Sequence, residues 1–215
     1  MNIAILLGLL VAAAPAPAQE GLAEARRAAF PEGGGIREGD RIVLFERSIL
    51  IRAPFGPVLI SAGAIQDASH GDQGRIAVHY LRETPGGFAV RRAFPLAMEA
   101  GSHGFLSDWS VSRRFTALPV VYTEGGGTFQ GYTCVAAGLL ELRPDGPAQI
   151  GLIPIYYDDS GAVEGGPRTL RGRISNLRRG RAFDVIFTGT ARFTEHYLWR
   201  DGRFVRTGRE SRASC

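Results

Sequence analysis

RIAVHYLRETPGGFAVRRAF, residues 75–94, decides the fold class. Residues 75–83 alternate Ile76, Val78 and Tyr80 with other types, Thr84-Pro85-Gly86-Gly87 carries turn chemistry, and Phe88 opens a return strand, so the stretch reads as a β-hairpin. Alternation puts Ile76, Val78 and Tyr80 on one face and His79 on the other, which predicts a solvent-facing His79 with a cross-strand pairing role. HYLWRDGRFVR, 196–206, echoes the motif, and LLELRPDGPAQI, 139–150, repeats its strand-turn-strand form with little residue identity. Phe193, Tyr197 and Trp199 share one face there, and His196 falls on the polar one. Repeated hairpins predict an all-β antiparallel meander forming a sandwich or barrel, with a small propeller-like arrangement of hairpins as the alternative.

Working outward, strands are expected at 41–52, 56–65, 117–123, 129–142, 148–157, 168–174, 182–199 and 203–207. Residues 19–30 are expected to form one short N-terminal helix with Leu22, Ala25 and Ala29 on one side, ended by Pro31 and Gly33-Gly34-Gly35. Nothing in the middle reads as a linker, so residues 19–215 are expected to form a single β-rich domain.

The first residues, MNIAILLGLLVAAAPAPAQE, carry an apolar run from Ile3 to Ala14 and the A-x-A site Ala16-Pro17-Ala18. No Arg precedes the run, yet its length and small-residue end predict a signal peptide over 1–18, cut before Gln19. Pro15 interrupts the run well short of the roughly 20 residues a membrane span needs, so no transmembrane segment is expected. The protein is therefore expected to be periplasmic or secreted. Cys134 and Cys215 are an even pair in a disulfide-permissive compartment; a bond within one chain is expected, with a free terminal thiol or a link to a second chain as the alternatives.

All 25 basic residues are Arg, which excludes a Schiff-base lysine, a P-loop lysine and a Ser-Lys dyad. Residues 168–215 hold 12 Arg against Asp184, Glu195, Asp201 and Glu210, whereas 19–167 hold 13 Arg against 17 acids. The two parts pack together and neutralise one another, or Arg simply replaces Lys as the surface cation, or a surface is left for lipid phosphate or acidic glycans; no nucleic-acid motif accompanies the charge, and no nucleic-acid partner is expected.

EGGGTFQGYTC, 124–134, is the densest glycine cluster. It lacks G-x-G-x-x-G before a helix and Gly-Lys-Ser/Thr, so it reads as strand, glycine turn or bulge, strand, with Glu124, Gln130 and Tyr132 as candidates for lining a cleft. DASHGDQG, 67–74, supplies Ser69, His70 and Asp72, the residue types of a triad, too close in one loop to assemble unaided. SHG recurs at 102–104, which makes Asp67, His70, Asp72 and His103 conceivable metal ligands without a tight ligand spacing, and no metal or other cofactor is expected. Asp158-Asp159-Ser160-Gly161 reads as a hairpin turn.

GSHG at 101–104, PVVYTEGGGTFQGYT at 119–133 and YDDSGAV at 157–163 together resemble a loose group of uncharacterised exported bacterial β-rich proteins that carry a G-x-T-x-Q-G-Y-T segment. The resemblance implies an envelope protein and a β fold, and no catalytic residues. The resulting expectation is a non-catalytic module binding a glycan, a lipid head group or a protein, with Glu124, Gln130, Tyr132, His70 and His103 as candidate ligand-binding residues. The alternative is an exported hydrolase or metal-assisted enzyme using His70 and His103.

Overall fold

The computed structural model describes residues 21–208, 210–213 and 215; the expected signal peptide, 1–18, lies outside the described residues. One helix, α1 (Leu22–Ala29), precedes five strands: β1 (Gly35–Glu38), β2 (Arg41–Ala53), β3 (Gly56–Ile65), β4 (Gly74–Thr84) and β5 (Gly87–Ala100). Eight more follow: β6 (Trp109–Ser112), β7 (Val120–Phe129), β8 (Tyr132–Arg143), β9 (Gly146–Asp158), β10 (Thr169–Arg178), β11 (Ala182–Gly189), β12 (Phe193–Arg200) and β13 (Arg203–Arg206). Each group forms its own antiparallel sheet with strands in chain order, β1 to β5 and β6 to β13. The all-β meander is as the hairpins predict. The propeller alternative is wrong, because the hairpins join into two continuous sheets instead of separate blades.

β1 and β6, both four-residue strands at sheet edges, are not among the strands expected. The single strand expected at 182–199 is two, β11 and β12, which are separated at residues 190–192 and pair with each other, Asp184 opposite His196.

The first sheet is covered on both faces, which explains why β3 and β4 are buried almost throughout. On one side Val58, Ile60, Ile76, Val78 and Met98 meet Val121, Leu140 and Leu142 of the second sheet. The contact is intimate: Gly138 of β8 leaves the space that the Met98 side chain enters, and the Tyr80 hydroxyl donates to the Arg143 carbonyl at 2.6 Å. Burial pushes the Tyr80 phenol up to about 12.

On the other side α1 packs Ala25 over Val43, Leu59, Ala77 and Leu81. Arg26 fastens it by donating to the Phe45 and Glu46 carbonyls and to the Ser48 hydroxyl, and Phe30 stacks on Phe45 at 5.2 Å. Across the end of the sheet, Arg75 of β4, only 8% exposed, holds Glu38 of β1 through two N–H···O bonds of 3.0 and 3.1 Å.

The helix overturns the expectation for His79. Alternation is as predicted, but the face opposite Ile76, Val78 and Tyr80 is the one α1 covers, so His79 is 4% exposed and meets the edge of Phe30 at 4.9 Å. Its Nδ1 has no hydrogen-bond partner among the described residues. Burial lowers its pKa to about 4.

The second sheet curls on itself around Ile150, Ile153, Leu170, Phe183, Val185, Phe187 and Tyr197. The C-terminal segment after β13 returns across this core, burying Ala213 within it. The buried carboxylate of Glu195 holds that segment, accepting from the Ser211 hydroxyl at 2.8 Å and the Arg212 amide at 3.2 Å. Cys215 is then bonded to Cys134 of β8, so the expected intrachain disulfide is formed.

His79 is protonated in the unfolded chain below about pH 6.5 but stays neutral in the fold down to about 4, so the unfolded state binds the extra proton across that window. Stability should therefore fall by roughly 2–3 kcal/mol between pH 7 and 4. Urea melts of His79→Leu should lose most of that slope; an unchanged slope would contradict it. Separately, the disulfide closes a loop of sequence separation 81, and Cys134→Ser with Cys215→Ser should cost about 4.5 kcal/mol in urea unfolding. A loss under about 1 kcal/mol would show that the C-terminal segment is held without it.

Candidate functional site

Strands β7 and β8 pair continuously from Val120–Glu141 to Phe129–Tyr132. Only Gln130 and Gly131 lie between the last pair, both with positive φ (51° and 85°), as a two-residue hairpin turn of this hand requires. The glycines of EGGGTF are therefore not the turn; they lie inside β7 and serve close approach. A Cβ on Gly125 would overlap the backbone of Gly101, and one on Gly126 would overlap the Cys134 carbonyl.

Strand β6 pairs with β7 only as far as Thr123, so the β7 edge beyond it faces loops instead of a strand. Those loops carry DASHGDQG and GSHG, and they are bonded to each other and to the first sheet: the Gly104 amide donates to the Asp72 carbonyl and the Ile65 amide to the Gly104 carbonyl, each at 2.9 Å.

Between the glycine edge, the loops and β9 lies a half-enclosed cavity of about 660 Å³, within the range of small-ligand pockets. Gly126 and Gly127 leave bare backbone along it, Phe129, Tyr132 and Tyr157 supply aromatic walls, His70 caps one side, and the Cys134–Cys215 disulfide forms another wall. Phe129 is 55% exposed, with its ring 5.7 Å from that of His70. The Tyr157 hydroxyl is already committed, donating to the buried Asp159 at 3.0 Å. Among the described residues few polar groups remain to face a ligand, chiefly His70, Gln73, Ser102 and the Tyr132 hydroxyl.

Of the residues expected to bind a ligand, His70 and Tyr132 meet in this cavity. His103 lines a neighbouring one of about 470 Å³ on the face bearing Thr128, Thr133 and Val135, which His70 and Ser102 also reach. Gln130 sits at the exposed turn tip and lines neither cavity. Glu124 points elsewhere, into a polar cleft of about 490 Å³, where it accepts from the Tyr122 hydroxyl at 2.6 Å.

Asp72 does not serve His70. Its carboxylate accepts from Arg41 and from the amide and hydroxyl of Ser69 at 2.7 and 2.9 Å, and the Arg41 hydrogen bond above all lowers its pKa to about 2. Ser69 thus donates to Asp72, and Ser69-His70-Asp72 has no triad order. Among the described residues no three His, Cys, Asp or Glu side chains are grouped to hold a metal ion. Asp158 ends β9 opposite Thr169 of the antiparallel β10, and the chain turns at Asp159–Ala162, where the Ala162 amide donates to the Asp159 carbonyl at 2.9 Å, so the expected hairpin turn is present within the longer connection 159–168; hydrogen bonds from Ser160 first, then Tyr156 and Thr169, hold Asp158 at about 2. His196 is exposed, as expected, with Nδ1 2.7 Å from Asp184.

Phe129, Tyr157 and the disulfide wall escape sequence reading, although the first sits inside the flagged segment. Among the described residues no helix is long and apolar enough to cross a membrane. No protein family, curated protein or solved structure matches the chain.

The glycine edge yields a graded prediction. Gly125→Ala meets unyielding backbone and should destabilise the fold by about 1–3 kcal/mol. At Gly127 a Cβ meets only the movable Phe129 ring at 3.0 Å, so Gly127→Ala should cost less in thermal melts. Equal losses would mean that the Gly101–Gly125 contact does not matter.

Proposed function

We propose that this protein is an exported, non-catalytic envelope protein that binds a small molecule with a substantial apolar body, such as a lipid, in the cavity beside the β7–β8 hairpin. The observation that carries the reading is the wall chemistry: three aromatic rings, a disulfide and bare glycine backbone around about 660 Å³, with few uncommitted polar groups among the described residues. Such a surface gains free energy by losing water and has little with which to satisfy a hydroxyl-rich ligand. Export is supported by the leader-like first residues and by the disulfide, a bond that persists in oxidising compartments. Binding is preferred to hydrolysis because Asp72, two residues from His70, is tied to Arg41 and Ser69 and so does not orient that imidazole.

The test is titration of the protein, residues 19–215, with the fluorescent apolar probe N-phenylnaphthylamine. Saturable binding at one site, displaced by an envelope lipid extract and weakened roughly tenfold or more by Phe129→Ala, is the expected result. Absence of saturable binding, or binding indifferent to Phe129→Ala, would refute the proposal.

A further inference from the structure

The polar cleft that holds Glu124 is separate from the apolar cavity and has a different chemistry. It spans the open side of the curled sheet, where β10 comes to face β6 and β7, and encloses about 490 Å³. Arg114 and Arg173 both line it, and among the described residues neither guanidinium has an acidic partner. Ser110 and Ser175 add hydroxyls that donate or accept. The Tyr122 ring also faces the cleft; it stacks on the buried Phe115 ring at 6.3 Å with 10° between the planes, and its hydroxyl is anchored on Glu124. Glu124 keeps acceptor capacity beyond that single bond.

We infer that this cleft is a second ligand site and that it takes an acidic sugar, a ring bearing both hydroxyls and a carboxylate. Each lining group then has a counterpart. A guanidinium pairs with the carboxylate through two N–H groups, sugar hydroxyls exchange hydrogen bonds with the serines and donate to Glu124, and an apolar ring face lies against Tyr122. A simple anion would satisfy the arginines alone, leaving the serines and the aromatic ring unused. A neutral sugar would leave both guanidinium groups without a partner. The sequence from 168 to 215, to which Arg173 belongs, also carries an arginine excess, a net positive charge that attracts anionic ligands to the protein.

The experiment is isothermal titration with galacturonate oligomers, with galactose oligomers of equal length and inorganic phosphate as comparison arms, at low and physiological salt. The acidic oligomer should bind, the neutral oligomer and phosphate should bind at least roughly tenfold more weakly, and salt should weaken the acidic complex. Arg114→Gln with Arg173→Gln should cost roughly tenfold to a hundredfold, whereas Arg173→Lys, which keeps the charge, should cost less. Both arginines are exposed, so the fold should be retained; saturable N-phenylnaphthylamine binding by the same variants is the control that keeps this site distinct from the apolar cavity. Equal affinity for acidic and neutral oligomers, phosphate binding as tight as the acidic sugar, no effect of the double substitution, or no binding of the acidic oligomer would each overturn the inference.

Discussion

The close approach of two sheets is the constraint on which the rest of the structure depends. Where Met98 of β5 fills the space over Gly138 of β8, and where Gly101, just past β5, meets Gly125 of β7, the second sheet and the chain of the first occupy room that a single extra methyl group would take. Interdigitation of Val58, Ile60, Ile76 and Val78 with Val121, Leu140 and Leu142 supplies the apolar burial that holds them there. The β7 edge is consequently fixed against the loops from the first sheet, and the space left between edge, loops and β9 is the cavity. Its position follows from sheet packing, and its chemistry from the residues that packing exposes.

Much of the fold is legible in local patterns. The hairpins at 75–94 and 196–206 declare themselves by turn residues and alternation, and the pairing of two cysteines follows from count and compartment. What the sequence conceals is which faces are covered. His79 lies on the side that alternation assigns, yet nothing within its own strand reveals that α1 will close over that side. The apolar run of β3, GPVLISAGAI, broken only by Ser61, is the signal for a doubly covered sheet, because a strand with one wet face would alternate.

The candidate site is legible in part for a similar reason. EGGGTFQGYTC is correctly singled out, but its glycines work by closeness to another segment, a property no single stretch can display, whereas the turn belongs to Gln130 and Gly131. The strand period then sorts its polar groups: Tyr132 faces one cavity with Phe129, and Glu124 faces the cleft with Tyr122. Two candidate binding surfaces of opposite character thus arise from one hairpin. The disulfide joins the C-terminal segment to this hairpin, so the last residue of the chain contributes to a wall that sequence distance hides.

The most direct test of the account is to map, by amide chemical-shift perturbation, where an apolar probe sits on the labelled protein. The account predicts shifts concentrated at His70, Gly126, Gly127, Phe129, Tyr132 and Cys215, with little change along β11 to β13. Shifts scattered over the surface, or centred away from the β7–β8 hairpin, would contradict it.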